Sequence, residues 1–405
     1  MSRLTRPSTP VLKYYLYQAS VSFGFFSPVF TLFLLHRGLD YTQIAALSTI
    51  YATLTVVGEI PTGYVGDRIG RRDSLLVSSA LMTLSLVGFL FARSFLALAV
   101  LYVLWTLSLV FRSGSADAWL YDALADGGDT DERDFARVRG RGAAVNRGVT
   151  VLTMLAGGVL YSVRPTLPFL ASAVLNGTGV AVLLTLPKNP QYAGDPDDDA
   201  LTVLDAVPVI RRHLTRPPLR SFVLYVALFF GTVVAIDTYV QPIATRTLGL
   251  PVSTMGPLYA GFTLVSAVAG YAAGDVQRRL GVRGATLSVP VLVGVSLLLP
   301  LAAPVLAFPM FFLLRGSRTL LRPIVNQYLN DHAESAGRAT ILSAASMVYA
   351  LVRLPLYLAG GVVADRYSPV VAVAALGAVF LLGLGAAAAW EDPVVAGSET
   401  GRTAE

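Results

Sequence analysis

Cysteine is absent from this 405-residue sequence, which excludes disulfides, thiolate metal ligands and cysteine nucleophiles. Lysine is nearly absent. It occurs only at Lys13 and Lys188, and neither follows a glycine, so the phosphate-binding loop GxxxxGK[ST] is missing. The three histidines, His36, His213 and His332, are far apart and form no HExxH pattern. These absences argue against a metal-dependent or hydrolytic enzyme, so we expect no enzymatic activity and no cofactor.

Charged residues are also scarce. They make up 14% of the chain, apolar residues make up 54%, and the mean hydropathy is +0.63. A soluble domain carries about 25% charged residues, and about 20 consecutive apolar residues cross a bilayer once. Because apolar runs of that length recur almost from end to end, the sequence predicts a polytopic membrane protein whose partner is the lipid bilayer. Its net charge of +6 reflects arginines in loops and does not indicate nucleic-acid binding.

Hydropathy, with glycine, proline and charge marking the boundaries, predicts twelve spans in two sets of six. The stretch 188–218 between the sets is too polar to stay in hydrocarbon, so we expect a cytoplasmic linker. The predicted organisation is an N-terminal six-helix bundle (1–187), the linker, a C-terminal six-helix bundle (219–391) and a cytoplasmic tail (392–405). The predicted spans are 11–36, 42–65, 73–92, 95–120, 141–163, 166–187, 219–246, 252–274, 284–302, 304–328, 339–363 and 368–390.

Basic residues indicate the orientation of these spans, because they collect in cytoplasmic loops. With the N-terminus inside, the inner loops hold about four times as many basic residues as the outer loops. The first span shows no small-residue cleavage pattern, so we expect an uncleaved signal anchor. The sequence therefore predicts a multi-pass protein of the cell membrane with both termini in the cytoplasm. The outer loops keep one arginine each: Arg37, Arg93, Arg164, Arg246 and Arg366.

Two segments suggest an internal repeat. The string GGVLYSVRP at 157–165 reappears as GGVVADRYSP at 360–369, with an offset of 203 residues. Many secondary transporters are built from repeated halves, with a binding site at the interface between the repeats. Because the offset agrees with the central linker, we predict two related six-helix halves.

A glycine-rich basic string, GYVGDRIGRR at 63–72, lies between the second and third spans. Two helices joined by so short a turn need glycine for its backbone geometry. A basic turn that only sets topology would explain the arginines but not the aspartate and the glycine spacing. The string resembles the GxLaDRxGRk loop of the major facilitator superfamily, and with twelve spans and a long central loop the resemblance covers the chain from span 1 to span 12. It implies an all-α membrane protein with twelve transmembrane helices in two pseudo-symmetric six-helix bundles.

The resemblance also implies a conformational latch that does not bind substrate. In that family the motif aspartate and the arginine after the last glycine form a charge relay with an acid at the inner end of helix 4. The aspartate also faces the N-terminus of helix 11, whose partial positive charge favours an anion. The residues that the resemblance assigns to this latch are Gly63, Asp67, Arg68, Gly70, Arg71 and Arg72 of the motif and Asp122 as the acid.

Within the superfamily, the chain is most like the drug/proton antiporter branch. That branch tends to carry GxxxGPxxGG in helix 5. Here only Gly157 and Gly158 remain of this pattern, and Thr153 and Met154 stand where glycine and proline would be. The departure weakens the assignment to the branch and leaves the assignment to the superfamily unchanged.

Arginines inside the predicted spans are candidates for substrate binding, since intramembrane charges usually face a cavity or a partner. Arg315, Arg318 and Arg322 follow i, i+3, i+7 spacing and share one helical face. Arg112 and Arg315 are 203 residues apart, the offset of the glycine repeat, and a pair of arginines across a cavity can bind a carboxylate or phosphate. The alternative is that these arginines pair with intramembrane acids and hold helices together. The substrate-cavity candidates are Gln18, Ser22, Arg112, Gln241, Arg315 and Arg318.

Three intramembrane acids are candidates for a proton-coupling site. An acid that is desolvated and also faces an arginine is able to take up and release a proton near neutral pH. Asp237 ranks first because helix 7 lines the central cavity in the resembled family; Glu59 and Asp117 follow. For each acid, a structural ion pair is the alternative.

These features predict a secondary transporter of a small organic solute that works by rocker-switch alternating access. Proton-coupled efflux of an amphipathic compound is the first hypothesis, and uptake or exchange of an organic anion by the cavity arginines is the second. A non-transporting membrane sensor on the same scaffold is an alternative of another class. We expect a monomer with a small-molecule substrate, and a proton as the coupling ion, with sodium as the alternative.

Overall fold

The computed structural model describes residues 9–126, 132–188, 219–332 and 338–394. These residues form helices and connecting turns without a β-strand, which confirms the predicted all-α class. Eight helices in the described ranges are long and apolar enough to cross a membrane. The predicted linker 188–218 and tail 392–405 lie almost wholly outside the described residues.

The helices reproduce the predicted order of spans. Their starts follow ordinary capping chemistry: the Ser94 and Ser368 side chains accept the backbone N–H of residues three positions later, and Pro369 opens the last helix. The helices are α1 (Thr9–Ser20), α2 (Phe30–His36), α3 (Tyr41–Ile69), α4 (Arg71–Phe91), α5 (Phe95–Arg112), α6 (Ser115–Asp126), α7 (Glu132–Val163), α8 (Leu167–Leu184), α9 (Leu219–Pro242), α10 (Met255–Ser296), α11 (Leu299–Ala302), α12 (Ala307–Asp331), α13 (Arg338–Arg366) and α14 (Pro369–Trp390).

Several predicted spans are not continuous helices. The first is interrupted between α1 and α2, where Gly24 occurs and Pro28 is the second residue of a short 3₁₀ turn, Ser27–Val29. The fourth breaks at Gly114, which has a positive φ of 78° and separates α5 from α6. The eighth and ninth spans are joined in one helix, α10, which is interrupted by non-helical backbone at Gly281, in the predicted connection between them. Non-helical backbone at membrane depth is tolerated where protein buries it or where it lines a cavity.

The chain divides into two compact units. Unit 1 comprises 1–39, 46–203 and 250–260, and unit 2 comprises 40–45, 204–249 and 261–405. Unit 1 lies mostly within 1–203 and unit 2 mostly within 204–405, with two short segments exchanged between these ranges. Residues 40–45, at the start of α3, belong to unit 2, and residues 250–260, at the start of α10, belong to unit 1.

The repeated glycine pairs contact these exchanged segments. In unit 1 a Cβ at Gly158 would lie 2.7 Å from the Val252 carbonyl oxygen. In unit 2 a Cβ at Gly361 would lie 2.8 Å from the Tyr41 carbonyl oxygen. Both distances are too short for any side chain, so glycine lets the backbones touch at equivalent places in the repeat. The repeat read from sequence therefore corresponds to two equivalent helix crossings.

Each unit has its own aromatic core. In unit 1, Tyr14 stacks on Trp119 at 6.4 Å between ring centroids, and both rings are buried. In unit 2, Phe229 and Phe380 are fully buried. Large apolar side chains also remain exposed on the helix surfaces, Leu382 being 75% exposed. That distribution suits helices that face hydrocarbon rather than water.

Candidate functional site

The first feature of unit 2 is an ion pair between two helices. Asp237 of α9 accepts a hydrogen bond from Arg315 Nη2 of α12. The side chains of Asp237 and Arg315 are 39% and 23% exposed, so the ion pair is partly buried. The Arg315 guanidinium also lies over the Phe262 ring, 5.4 Å from its centroid. The sequence named both charges as candidates, and the fold brings them together.

A cavity of about 360 Å³ lies between α9, α12 and α13; we call it the arginine cavity. Its α12 wall carries Arg318, Arg322 and Asn326, which are spaced by four residues and share one face. Its α13 wall carries Tyr349 and Arg353, also four residues apart. Phe230 of α9 and other apolar side chains complete the lining.

A second cavity, of about 510 Å³, is lined by residues of α10 and α12. It shares Arg318, Arg322 and Asn326 with the arginine cavity and adds Arg315. Pro323 lies in its wall, within α12, and cannot donate the backbone hydrogen bond of a regular helix. The three α12 arginines therefore all border open space.

The charges around these cavities are unbalanced. Four arginines line them and no acid does, among the residues that the structure describes. Placing one arginine at the centre of a membrane helix costs about 2.5–3.5 kcal/mol, so such a cluster favours a counter-anion. Arg353 Nε and Tyr349 Oη are buried and have no hydrogen-bond partner in the described ranges. An unsatisfied buried donor costs about 1–3 kcal/mol, which an acceptor in the cavity would offset.

The candidates in unit 1 have other surroundings. The Arg112 guanidinium lies over the Phe23 ring, 5.3 Å from its centroid. Gln18 donates to the Tyr14 hydroxyl at 2.8 Å. Ser22 is buried and lies 3.0 Å from the Thr153 hydroxyl, in the contact between the first interrupted span and α7. Arg112 and Arg315 belong to different units, so their pairing across a cavity stays a prediction.

The remaining coupling and cavity candidates are held by local contacts. Asp117 forms a two-point ion pair with Arg139, at 2.9 Å and 2.8 Å, and both side chains are about half exposed. Gln241 is 3% exposed, and its backbone carbonyl oxygen accepts a hydrogen bond from the Thr245 hydroxyl. The side chain of Glu59 lies outside the described residues.

The motif string forms the short turn that its glycines predict. Only Gly70 separates α3 from α4, and its φ of 91° is a conformation that glycine adopts readily. Arg71 Nε lies 3.4 Å from Asp122 Oδ2, so two members of the predicted latch are neighbours in unit 1. Arg72 Nε instead donates to the Leu183 carbonyl oxygen at 3.1 Å. Arg68 is exposed at the end of α3.

The other motif residues do not test the latch. Gly63 lies within α3, and the Asp67 side chain lies outside the described residues. The conformational role of the motif therefore stays a prediction.

A contact that the sequence did not suggest lies at the predicted outer end of unit 2. Asp365, near the end of α13, accepts hydrogen bonds from the Tyr41 and Thr42 backbone N–H groups, each at 2.8 Å, and from the Thr42 hydroxyl at 2.6 Å. Asp40 accepts from the Gln43 N–H at 2.7 Å. Two carboxylates thus satisfy the first N–H groups of α3, one local and one from a residue 323 positions away.

Sequence reasoning missed part of the arginine cavity. Phe230, Tyr349 and Arg353 were not among the residues that the sequence predicted for a site. The four-residue spacing of Tyr349 and Arg353 was a usable signal. What the sequence did not reveal is that this face of α13 meets the arginine face of α12.

Solved structures with the same fold include transporters. A crystal structure of a variant of the nucleoside transporter NupG matches with a TM-score of 0.79 and 12% identity, over 94% of this chain and 98% of that one. A bacterial homologue of the human lysosomal transporter Spinster, inward-facing and unoccupied, matches with a TM-score of 0.69 and 17% identity, over 95% and 97%. A POT family transporter in complex with 5-aminolevulinic acid matches with a TM-score of 0.67 and 13% identity, over 94% and 95%. At these identities the likeness shows the fold alone.

Sequence comparison gives the family. The chain is 25% identical over 253 residues to an uncharacterized MFS-type transporter, YxaM of Bacillus subtilis (strain 168), and the aligned part covers 60% of each protein. The family pattern described as Major Facilitator Superfamily matches residues 18–355, most of the chain. Together with the eight helices that are long and apolar enough to cross a membrane, the family match indicates a multi-pass membrane protein. The chain belongs to the major facilitator superfamily.

Proposed function

We propose that this protein is a proton-coupled secondary transporter of a small organic anion, and that the proton and the anion move together. The observation that carries the proposal is the ion pair of Asp237 with Arg315, because Arg315 also borders a cavity lined by further arginines. Of the two cargo hypotheses from the sequence, this arrangement favours the organic anion.

The coupling follows from the charges. When Asp237 takes up a proton, it loses its negative charge and the ion pair with Arg315 loses its Coulombic attraction. The guanidinium then offers more of its hydrogen-bonding capacity to an anion in the adjoining cavity. Proton binding therefore raises anion affinity, and by linkage anion binding raises proton affinity by the same factor. Two ligands that promote each other's binding suit symport.

The efflux hypothesis predicts the opposite sign. An antiporter of the drug/proton type requires the proton and the solute to compete for the protein. In that case acidification weakens solute binding. The pH dependence of anion binding therefore distinguishes symport, in which acid strengthens binding, from antiport, in which acid weakens it.

The test uses phenyl phosphate in proteoliposomes, with protein-free liposomes as the background. An acid-outside pH gradient is expected to accelerate uptake of the anion. Asp237→Asn resembles the protonated acid, so the variant should keep only the pH dependence that phenyl phosphate brings through its own second ionisation, near pH ~6, and should lose the acceleration by the gradient. Asp275→Asn is the matched control, because Asp275 pairs with Arg278 in an exposed site outside both cavities. Uptake that the gradient does not change, or binding that acid weakens more in the wild type than in Asp237→Asn, would refute the proposal.

The same proposal extends to the setting of the protein. It places the chain as a monomer in the cell membrane with both termini in the cytoplasm, as the arginine asymmetry predicts. Rocker-switch exchange between states, with the motif residues Arg71 and Asp122 as part of a latch, belongs to this proposal and is supported by their 3.4 Å separation.

A further inference from the structure

The arginine cavity has two polar walls that face each other and one apolar wall. Arg318 and Arg322 come from α12, and Tyr349 and Arg353 come from α13. Each pair is spaced so that its members lie on one side of their helix. The two helices thus direct three guanidinium-bearing side chains and one phenol toward a common space.

The donors of this cavity are not used up inside the protein. Among the described residues, Arg318, Arg322 and Arg353 form no ion pair within 4.0 Å, whereas Arg315 is paired with Asp237. Arg353 Nε and the Tyr349 hydroxyl are buried without a hydrogen-bond partner in the same ranges. Buried donors of native proteins are normally satisfied, and each exception calls for an explanation. An anion held between α12 and α13 provides one.

The third wall limits the shape of that anion. The Phe230 and Tyr349 rings lie 5.4 Å apart between centroids, tilted by 34°. Val234, Leu329 and Leu342 extend this apolar surface. Ligand pockets typically combine such a surface with a few placed polar groups that orient the ligand. An inorganic ion would leave this surface without a partner.

We infer that the arginine cavity binds an amphipathic organic anion with one oxyanion head and an apolar, preferably aromatic, body. The head, a carboxylate or a phosphate, lies against the guanidinium groups of Arg318, Arg322 and Arg353 and accepts from the Tyr349 hydroxyl. The body lies against the Phe230 ring. The inference rests on the proposed function, since it names the class of anion that the transporter carries.

The test measures binding to the purified full-length protein without any gradient. Thermal stabilisation is followed with benzoate, phenyl phosphate and benzyl alcohol, which share a ring and differ in the head group. Both anions are expected to stabilise the protein, and the neutral alcohol is not. The ratio of the two anion affinities tells a carboxylate site from a phosphate site.

Three variants assign the binding to this cavity. Arg353→Met should raise the Kd of the better anion at least tenfold, and Tyr349→Phe should raise it a fewfold. Arg366→Met, an exposed arginine on the same helix, should leave it unchanged. If Arg353→Met does not fold, Arg353→Lys replaces it; lysine keeps the charge but loses the two-point fork, so weaker binding is still expected.

The outcomes separate this inference from the proposed function. Equal stabilisation by benzyl alcohol and the anions, no stabilisation by either anion, or an unchanged Kd in Arg353→Met would overturn the inference. Proton-driven uptake of phenyl phosphate by Arg353→Met with an unaltered KM would also overturn it, while the proposed function would stand. Binding that follows the expected pattern without any gradient-driven uptake would support the site and refute the coupling.

Discussion

The carboxylate of Asp365 is expected to hold the start of α3 against α13, so that its removal opens this contact. It accepts three hydrogen bonds from Tyr41 and Thr42. Loss of an N-cap acceptor costs about 0.5–2 kcal/mol, and loss of a negative charge at a helix N-terminus costs about 0.3–1 kcal/mol. Because Asp365 is exposed, water and salt reduce the electrostatic part. For Asp365→Ala we expect the free energy that keeps this contact closed to fall by about 1–2 kcal/mol, which shifts the equilibrium roughly 5–30-fold toward the open contact.

The absence of cysteine makes the assay direct, since any introduced thiol is the only one in the chain. Ala45 is 3% exposed and lies against Gly361, where a Cβ would be 3.0 Å from that of Ala45. In Ala45→Cys protein the rate of labelling by a membrane-impermeant maleimide reports opening of the contact. Adding Asp365→Ala should raise this rate by the factor above, and Asp365→Asn, which keeps one acceptor oxygen, should raise it less.

Two controls make the result specific. Tyr367 is 67% exposed, so Tyr367→Cys protein should be labelled quickly, at a rate that does not depend on Asp365. Asp40→Ala removes the local cap of α3 without touching its contact with α13. If Asp40→Ala accelerated the labelling of Cys introduced at Ala45 as much as Asp365→Ala did, simple fraying of the helix would explain the effect. That result, or an unchanged rate in Asp365→Ala, would refute the reasoning.

Three further expectations concern other parts of the chain. Gly157→Val should sharply reduce the yield of folded protein, because even a Cβ there would lie 2.2 Å from a backbone carbonyl oxygen. Gly148→Val on the same helix is the control and should fold normally, since there is open space around Gly148. Equal yields of the two variants by size-exclusion chromatography would contradict the prediction. Arg71 and Asp122 are partly exposed, so a double-mutant cycle on thermal stability should give a coupling of only about 0.2–1 kcal/mol, while Arg71→Ala should markedly slow transport if the latch operates. A hydrogen bond from Arg283 of α10 lowers the pKa of Asp392. The contact between α10 and the segment after α14 should therefore be stable above the ordinary aspartate pKa and be lost as the pH falls through the lowered pKa. Limited proteolysis at decreasing pH should show this loss, and Asp392→Asn should abolish its pH dependence.

Hydropathy predicted the twelve spans, since whether a helix suits hydrocarbon depends on about 20 consecutive residues and little else. It did not predict the interruption of the first span, because Gly24 permits a close approach of α7 that only the packed fold reveals. In the same way the glycine pairs at 157–158 and 360–361 indicated a repeat, but not that each pair meets a segment from the other half.

What the sequence determined by itself is the class of the protein, from arginines concentrated in alternate predicted loops, the motif turn at 63–72 and a glycine string that recurs at an offset of 203 residues. These features can be read along the chain and need no knowledge of packing. Only the tertiary structure decided which intramembrane charges are partners. Asp237 and Arg315 are 78 residues apart in sequence and form one pair, while Arg353 has a buried nitrogen that lacks a partner among the described residues. The energy of a charge in a membrane depends on what lies within a few ångströms of it, and that neighbourhood exists only once the helices have packed.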